Sequence, residues 1–319
     1  MTPIGGYFEL ELNKGSNHYH DTPYVLKSGR SALGHILNYI KPKVVYIPYY
    51  TCDALLEPFK NTNVPFLFYE LNNFLEPKTT IELKEGEYYL YINYSDLKRN
   101  TVNSLSELYR DRLIVDCTQA FFMKGNGVSW YFNSCRKFFG VPDGSYLYCP
   151  DGIELPMVND RNENYVTDHL LKRFNGHVRE GYNCFQENEL LAGMNISGIS
   201  KLSEYLLSQI NYNAIISARR TNYEYLHSQF EDFNKCEAAM NVDKVPMYYP
   251  LLLSETINKQ YFYDIGIFIP TFWRDTHSRG FAGFEFEKEL SDKMLVLPID
   301  QRYTLEDMTL LCTSLKRIL

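Results

Sequence analysis

The stretch YVLKSGRSALGHILNYIKPKVVYIP, residues 24–48, decides the fold class. Its apolar start, Tyr24 to Leu26, reads as a short strand. Ser28 or Gly29 then supplies a natural helix N-cap. Beyond the cap, Ala32, Leu33, Ile36, Leu37 and Ile40 recur on one helical face, and Lys43 to Pro48 returns to a strand pattern. Strand, capped helix and strand in succession point to a mainly parallel α/β sheet.

The same rhythm continues outward. A short helical stretch around Asp53 to Phe59 precedes the strand-like runs PFLFYE (Pro65 to Glu70) and YYLYINY (Tyr88 to Tyr94). Ser104 and Glu107 have the spacing of a capping box, which predicts a short helix opening there, before the apolar strand LIVD (Leu113 to Asp116). VSWYF (Val128 to Phe132) and SYLYC (Ser145 to Cys149) read as two further strands. After Pro150 the texture changes to polar stretches such as NDRNENY (Asn159 to Tyr165) and then to helical patterns through Leu202, Leu206, Leu207 and Ile210 toward Leu226. In the last quarter VPMYYPLLL (Val245 to Leu253), GIFIP (Gly266 to Pro270) and LVLP (Leu295 to Pro298) read as strands. Thr304 caps a closing helix that carries Glu306 and Asp307 in its first turn. The expected fold is therefore α/β, with a mostly parallel sheet flanked by helices in a large domain (residues 1–205) and a smaller C-terminal α+β domain (residues 206–319).

Composition narrows the function. With 319 residues, 45% of them hydrophobic, the chain has enough apolar material for a sizeable core, which excludes disorder. Lys and Arg number 32 against 39 Asp and Glu, and a net charge of −7 repels a polyphosphate backbone, so no nucleic-acid partner is expected. No apolar run approaches the roughly 20 residues that span a bilayer, so no membrane partner is expected either. The opening residues MTPIGGYFELEL have neither the basic start nor the apolar centre of a secretory leader. Seven scattered cysteines without a CxxC pair fit a reducing, cytoplasmic setting. His18 and His20 have no third ligand near them in sequence, so no metal is expected.

Three places can carry chemistry at the carboxyl ends of parallel strands, where open α/β sheets bind ligands. Lys27-Ser28-Gly29-Arg30-Ser31 opens a helix, whose free N–H groups can hold a phosphate. Asp116-Cys117-Thr118-Gln119 ends an apolar strand with a carboxylate. Ser134-Cys135-Arg136-Lys137, followed by Asp143-Gly144, is a basic loop between two strands. Each alone also has a plain reading as a capped helix, a turn-forming Asp or a solvated Lys.

In this order the three resemble the DegT/DnrJ/StrS sugar aminotransferase family, pyridoxal-phosphate (PLP) enzymes of the aspartate aminotransferase fold, type I. The C-terminal LPIDQRYTLEDM (Leu297 to Met308) is similar to the family's Leu-Pro, spacer, Leu-Thr-x-Glu-Asp ending. The resemblance implies that the large domain binds PLP. It implies that Lys137 carries the cofactor covalently and that Asp116 pairs with its pyridine nitrogen. Gln119 is similar to the family's glutamine near the phenolic oxygen. Ser28-Gly29-Arg30-Ser31-Ala32-Leu33 resembles a Ser-Gly-Thr-x-Ala-Leu phosphate cradle, with Arg30 in place of Thr, and Ser134 is a further phosphate candidate. Tyr50 or Cys52 stands where an aromatic residue covers the ring. Asn195, in a segment similar to the family's Asn-Tyr-Arg element, is implied to reach the phosphate of a neighbouring subunit in a homodimer. The implied activity transfers an amino group from an amino-acid donor, glutamate by preference, to a nucleotide-linked keto sugar. The alternatives are a PLP-dependent sugar dehydratase, against which Lys137 speaks, and a catalytically idle homologue with a binding or regulatory role.

Overall fold

The computed structural model describes residues 6–193, 195–237 and 244–318. Seven strands form the main sheet: β1 (Tyr24–Leu26), β2 (Val44–Pro48), β3 (Phe66–Tyr69), β4 (Glu87–Ile92), β5 (Leu113–Cys117), β6 (Trp130–Asn133) and β7 (Ser145–Tyr148). Their order across the sheet is β1-β7-β6-β5-β4-β2-β3. From β3 to β6 every pairing is parallel, whereas β7 runs antiparallel to both β6 and β1. The expected mostly parallel α/β sheet is thus present. Every residue of β5 and β6 is buried, which is why these central strands read as continuous apolar runs.

The helix Gly29–Ile40 begins where the sequence places it. Ser28 accepts a hydrogen bond from the Ser31 amide as its N-cap, and Lys41 closes it in the left-handed conformation at φ 44°, donating its N–H to Leu37. Its face of Ala32, Leu33, Ile36 and Leu37 is buried in the core beneath the sheet. The helix Arg99–Tyr109 buries Val102, Leu105, Ser106 and Tyr109, again one helical stripe.

A second, two-stranded antiparallel sheet pairs β8 (Tyr248–Leu252) with β9 (Met294–Pro298). The closing helix Leu305–Lys316 packs nearby, with the Thr304 and Asp307 capping box in place.

Three local expectations differ. Ser104 lies inside the helix Arg99–Tyr109 instead of opening one, and its hydroxyl donates to the Asn100 carbonyl at 3.2 Å. GIFIP forms no strand: Gly266 has φ 81°, the run ends at Pro270, and among the described residues no strand pairs with it to take its backbone groups. The helical pattern toward Leu226 is two helices, Lys201–Leu207 and Tyr212–Phe230, separated where Asn211 caps the second.

Candidate active site

Register places Asp116 between Ile92 of β4 and Phe132 of β6, near the carboxyl end of the central strands. The Thr118 amide donates to its Oδ1 at 2.7 Å, an Asx turn that fixes the carboxylate. Burial pushes the Asp116 carboxyl up, and the charge of Lys137, followed by the hydrogen bonds from Thr118, works against that rise. Lys137 lies in a 3₁₀ turn, Cys135–Lys137, between β6 and β7, and its exposed Nζ donates to Thr118 Oγ1 at 3.0 Å. Thr118 therefore touches both the carboxylate and the amine.

The lysine turn is held from two sides. The Cys135 amide donates to the Gly144 carbonyl at 2.9 Å. Gly144 has φ 124°, and a Cβ there would stand 2.9 Å from Cys135 Sγ, so only glycine fits. Its neighbour Asp143 accepts from the Ser200 amide, the Ser200 hydroxyl and Asn162 Nδ2 at 2.7–2.9 Å, which makes it a clasp for the incoming segment at Ser200. From the C-terminal part of the chain, Gln301 Nε2 donates to the Phe138 carbonyl at 2.7 Å, and Arg219 Nε donates to Gln301 Oε1 at 3.1 Å.

The start of the helix Gly29–Ile40 abuts the same place. A Cβ on Gly29 would stand 3.0 Å from Thr118 Cγ2 and 3.3 Å from the Asn133 carbonyl, so the missing side chain permits this approach. Ser28 Oγ donates to the Ala192 carbonyl at 2.7 Å, and Ser31 Oγ to the Asn195 carbonyl at 2.9 Å. Lys27 is buried and donates to Leu191 O at 3.2 Å and to Asn195 Oδ1. Burial, then Arg30, pushes its ammonium down, while Asp143 opposes. Asn195 thus lies against the cradle of its own chain. Arg30 points to two carboxylates, Glu57 and Glu189.

The other sequence candidates fall into two groups. Cys52 is half-buried and feels both Lys137 and Asp116; burial pushes its thiol up and Lys137 opposes. Ser134 is buried at the head of the lysine turn. Tyr50, in contrast, is packed away: its hydroxyl donates to Phe272 O at 2.8 Å and its ring lies against Trp273. Gln119 is also fully buried, with its Oε1 accepting from the Ser95 amide and the Tyr248 hydroxyl, both at 3.0 Å. His20 is buried as well, its ring nitrogens meeting Tyr148 Oη at 2.9 Å and Phe121 O at 2.7 Å. Among the described residues no group of three His, Cys, Asp or Glu is placed to hold a metal ion.

Sequence reasoning did not single out Thr118, Glu189, Arg219 or Gln301. Thr118 had a signal, since an amide two residues after an Asp is the usual Asx-turn donor. The other three approach the site from remote segments; Gln301 lies in the quoted stretch Leu297 to Met308, but no local pattern marks its side chain, or Glu189 or Arg219, as reaching the site.

The chemistry available is that of an exposed amine beside a buried carboxylate, with a donor-rich helix start at one end. These groups fit pyridoxal phosphate: Lys137 can bond to a carbonyl, Asp116 has among the described residues no directly paired cation, a place that a pyridinium would take, and the helix start carries hydroxyls and cations that an anion would take over from the oxygens they now meet.

No protein-family model matches the chain, and no curated protein matches its sequence. Solved structures do match. Spr1654 of Streptococcus pneumoniae in its PMP form, a protein described as a sugar aminotransferase, is 12% identical, with 92% of this chain and 85% of that one covered at a TM-score of 0.67. DesV of S. venezuelae, in complex with a ketimine intermediate, is 14% identical over 92% and 83%, TM-score 0.65. A DegT DnrJ EryC1 StrS aminotransferase from Brucella abortus is 14% identical over 92% and 84%, TM-score 0.62. The chain has the fold of these proteins.

Proposed function

We propose that this chain is a PLP-dependent aminotransferase that moves an amino group from an amino acid, glutamate as the first choice, to a nucleotide-linked keto sugar. The observation that carries the reading is the meeting of Asp116 and Lys137 on Thr118, at the ligand-binding edge of this fold. Two similar structures, one of a protein described as a sugar aminotransferase in its PMP form and one of DesV in complex with a ketimine intermediate, support the cofactor and the sugar.

Pyridoxal phosphate, when bound, supplies an electron-withdrawing ring that stabilises negative charge at an amino acid's α-carbon. Lys137 would hold it covalently and then, once released, carry a proton from the donor's α-carbon to the cofactor's C4′ carbon, a task suited to an exposed amine placed by Thr118. Asp116, buried and oriented by Thr118, would hold the proton on the ring nitrogen. Ser28, Gly29, Ser31 and the cations Lys27 and Arg30 would take the phosphate, with Ser134 beside them. Cys52, near both charged groups, is the candidate to cover the ring.

The reading extends to a cytoplasmic homodimer with a cofactor-binding domain at residues 1–205 and a small domain at 206–319.

The test is a screen of amino donors, with glutamate included, against nucleotide keto sugars in the presence of PLP, read by mass spectrometry. An amino sugar should form with at least one pair. If none of the donors converts PLP to its amine form, the proposal is contradicted.

A further inference from the structure

Residues 189–193 and Asn195 lie across the start of the helix Gly29–Ile40 and offer it a row of oxygens. Besides the carbonyls that take Lys27, Ser28 and Ser31, Glu189 receives two arginines. Arg30 Nη2 donates to the Glu189 carbonyl at 2.5 Å and to its Oε2 at 3.3 Å, while Arg30 Nη1 holds Glu57 at 2.9 Å. Arg136, the residue before Lys137, donates through Nη1 to Glu189 Oε1. Burial pushes the Glu189 carboxyl up, but Arg136, Arg30 and Lys137 outweigh it and hold the group below the usual carboxylate range. It is ionised at neutral pH.

The cluster is not saturated. Among the described residues Arg30 and Arg136 share the two carboxylates of Glu57 and Glu189, and Lys27 beside them hydrogen-bonds only to neutral oxygens, of Leu191 and Asn195. Arg136 Nε is buried and has no hydrogen-bond partner among the described residues, a donor left over in a nearly closed site. Both carboxylate oxygens of Glu189 are engaged elsewhere, Oε1 by Arg136 Nη1 and Oε2 by Arg30 Nη2. A phosphate monoester has more oxygens and more charge, and it suits a fork of guanidinium donors beside a helix N-terminus. The helix that brings in Glu189 is also lightly anchored: within Val178–Leu191 only Gly181 and Asn188 are buried, and its apolar side chains Tyr182, Phe185 and Leu190 are exposed. An element with so little buried surface can open without unfolding the core.

We propose that Glu189 is an internal counter-ion that occupies a two-arginine clamp, Arg30 with Arg136, and gives it up to the phosphate monoester of the ligand, the helix Val178–Leu191 loosening as it does so. The identity of that ligand as PLP rests on the function proposed above; the clamp itself does not. Glu189 thereby sets how tightly the phosphate is held, since every phosphate bound must first break the carboxylate's pairing. No bond is made or broken in the exchange.

Titration calorimetry of inorganic phosphate into the whole chain and its Glu189→Gln variant tests it. The variant should bind phosphate about tenfold more tightly, the equivalent of one modest ion pair no longer competing. Equal or weaker binding overturns the proposal, as does an equal gain for pyridoxal, which has no phosphate. Hydrogen exchange on the unaltered chain makes the test independent of the variant's folding: phosphate should speed exchange within Val178–Leu191, and unchanged or slower exchange overturns the proposal. Failure of the cofactor reading looks different. Phosphate would then bind and respond to residue 189, yet neither PLP nor pyridoxal would leave a pyridoxyl group on Lys137 after borohydride reduction.

Discussion

Arg219 sets its guanidinium 4.6 Å from the centre of the Phe138 ring, the residue that follows Lys137. The arginine is almost wholly buried, and it also donates to the carbonyls of Pro246 and Met247 at 3.2 and 3.1 Å. Burial pushes its pKa down to about 10, so it is still charged at neutral pH. It therefore joins the long helix Tyr212–Phe230, the segment before β8 and the lysine turn in one contact set.

Arg219→Leu should be strongly destabilising, because the carbonyls of Pro246 and Met247 and Gln301 Oε1 lose their donor while the cation–π contact vanishes. A cost of about 2–4 kcal/mol is expected. Thermal denaturation measures it, and a melting temperature within a degree of the unaltered chain would contradict the role.

Gly144→Ala tests the shape of the lysine turn. The positive φ and the 2.9 Å approach to Cys135 Sγ both penalise a Cβ, so the variant should lose about 2 kcal/mol or more in denaturant unfolding. Unchanged stability would mean that the turn can form without this close approach.

Acid should destabilise the protein through His20 before the carboxylates titrate. Burial pushes its imidazole down to about 3, so the folded state binds fewer protons than the unfolded one, whose His titrates near 6.5. The stability it contributes is complete above about pH 6.5 and is lost as pH falls toward 3, by up to about 1.4 kcal/mol per pH unit. His20→Phe keeps a ring against Tyr146 and Phe121 but removes the titration. Melting temperature plotted against pH should then be flatter between pH 6.5 and 5; parallel curves for the two proteins would refute the assignment.

Asp116→Asn probes the carboxylate separately from the amine. Pyridoxyl attachment at Lys137 should persist, while the single-turnover reaction with an amino donor slows on the order of a hundredfold or more, as the ring-nitrogen proton loses its partner. An unchanged rate would remove Asp116 from the mechanism.

These residues also show what local sequence can and cannot reveal. The strand Leu113–Cys117 was readable because both its faces are covered, so burial writes an unbroken apolar run, and the carboxylate after it stood out. Ser28 and Thr304 were readable because a cap satisfies its helix through neighbours two or three positions away. GIFIP misled because an apolar run becomes a strand only beside a partner strand, which pattern alone does not report. Glu189 and Arg219 were invisible for a related reason: their meaning comes from the arginine or the ring that they meet across the fold. Arg30 was seen at the cradle, but its two carboxylate partners were not.

The central claim is that Lys137 is the amine that carries the cofactor. Incubation with PLP, borohydride reduction, proteolysis and mass mapping test it directly. One pyridoxyl group per chain should appear on the peptide that contains Lys137 and vanish in Lys137→Ala; a pyridoxyl mass on another lysine, or on none, would contradict the account.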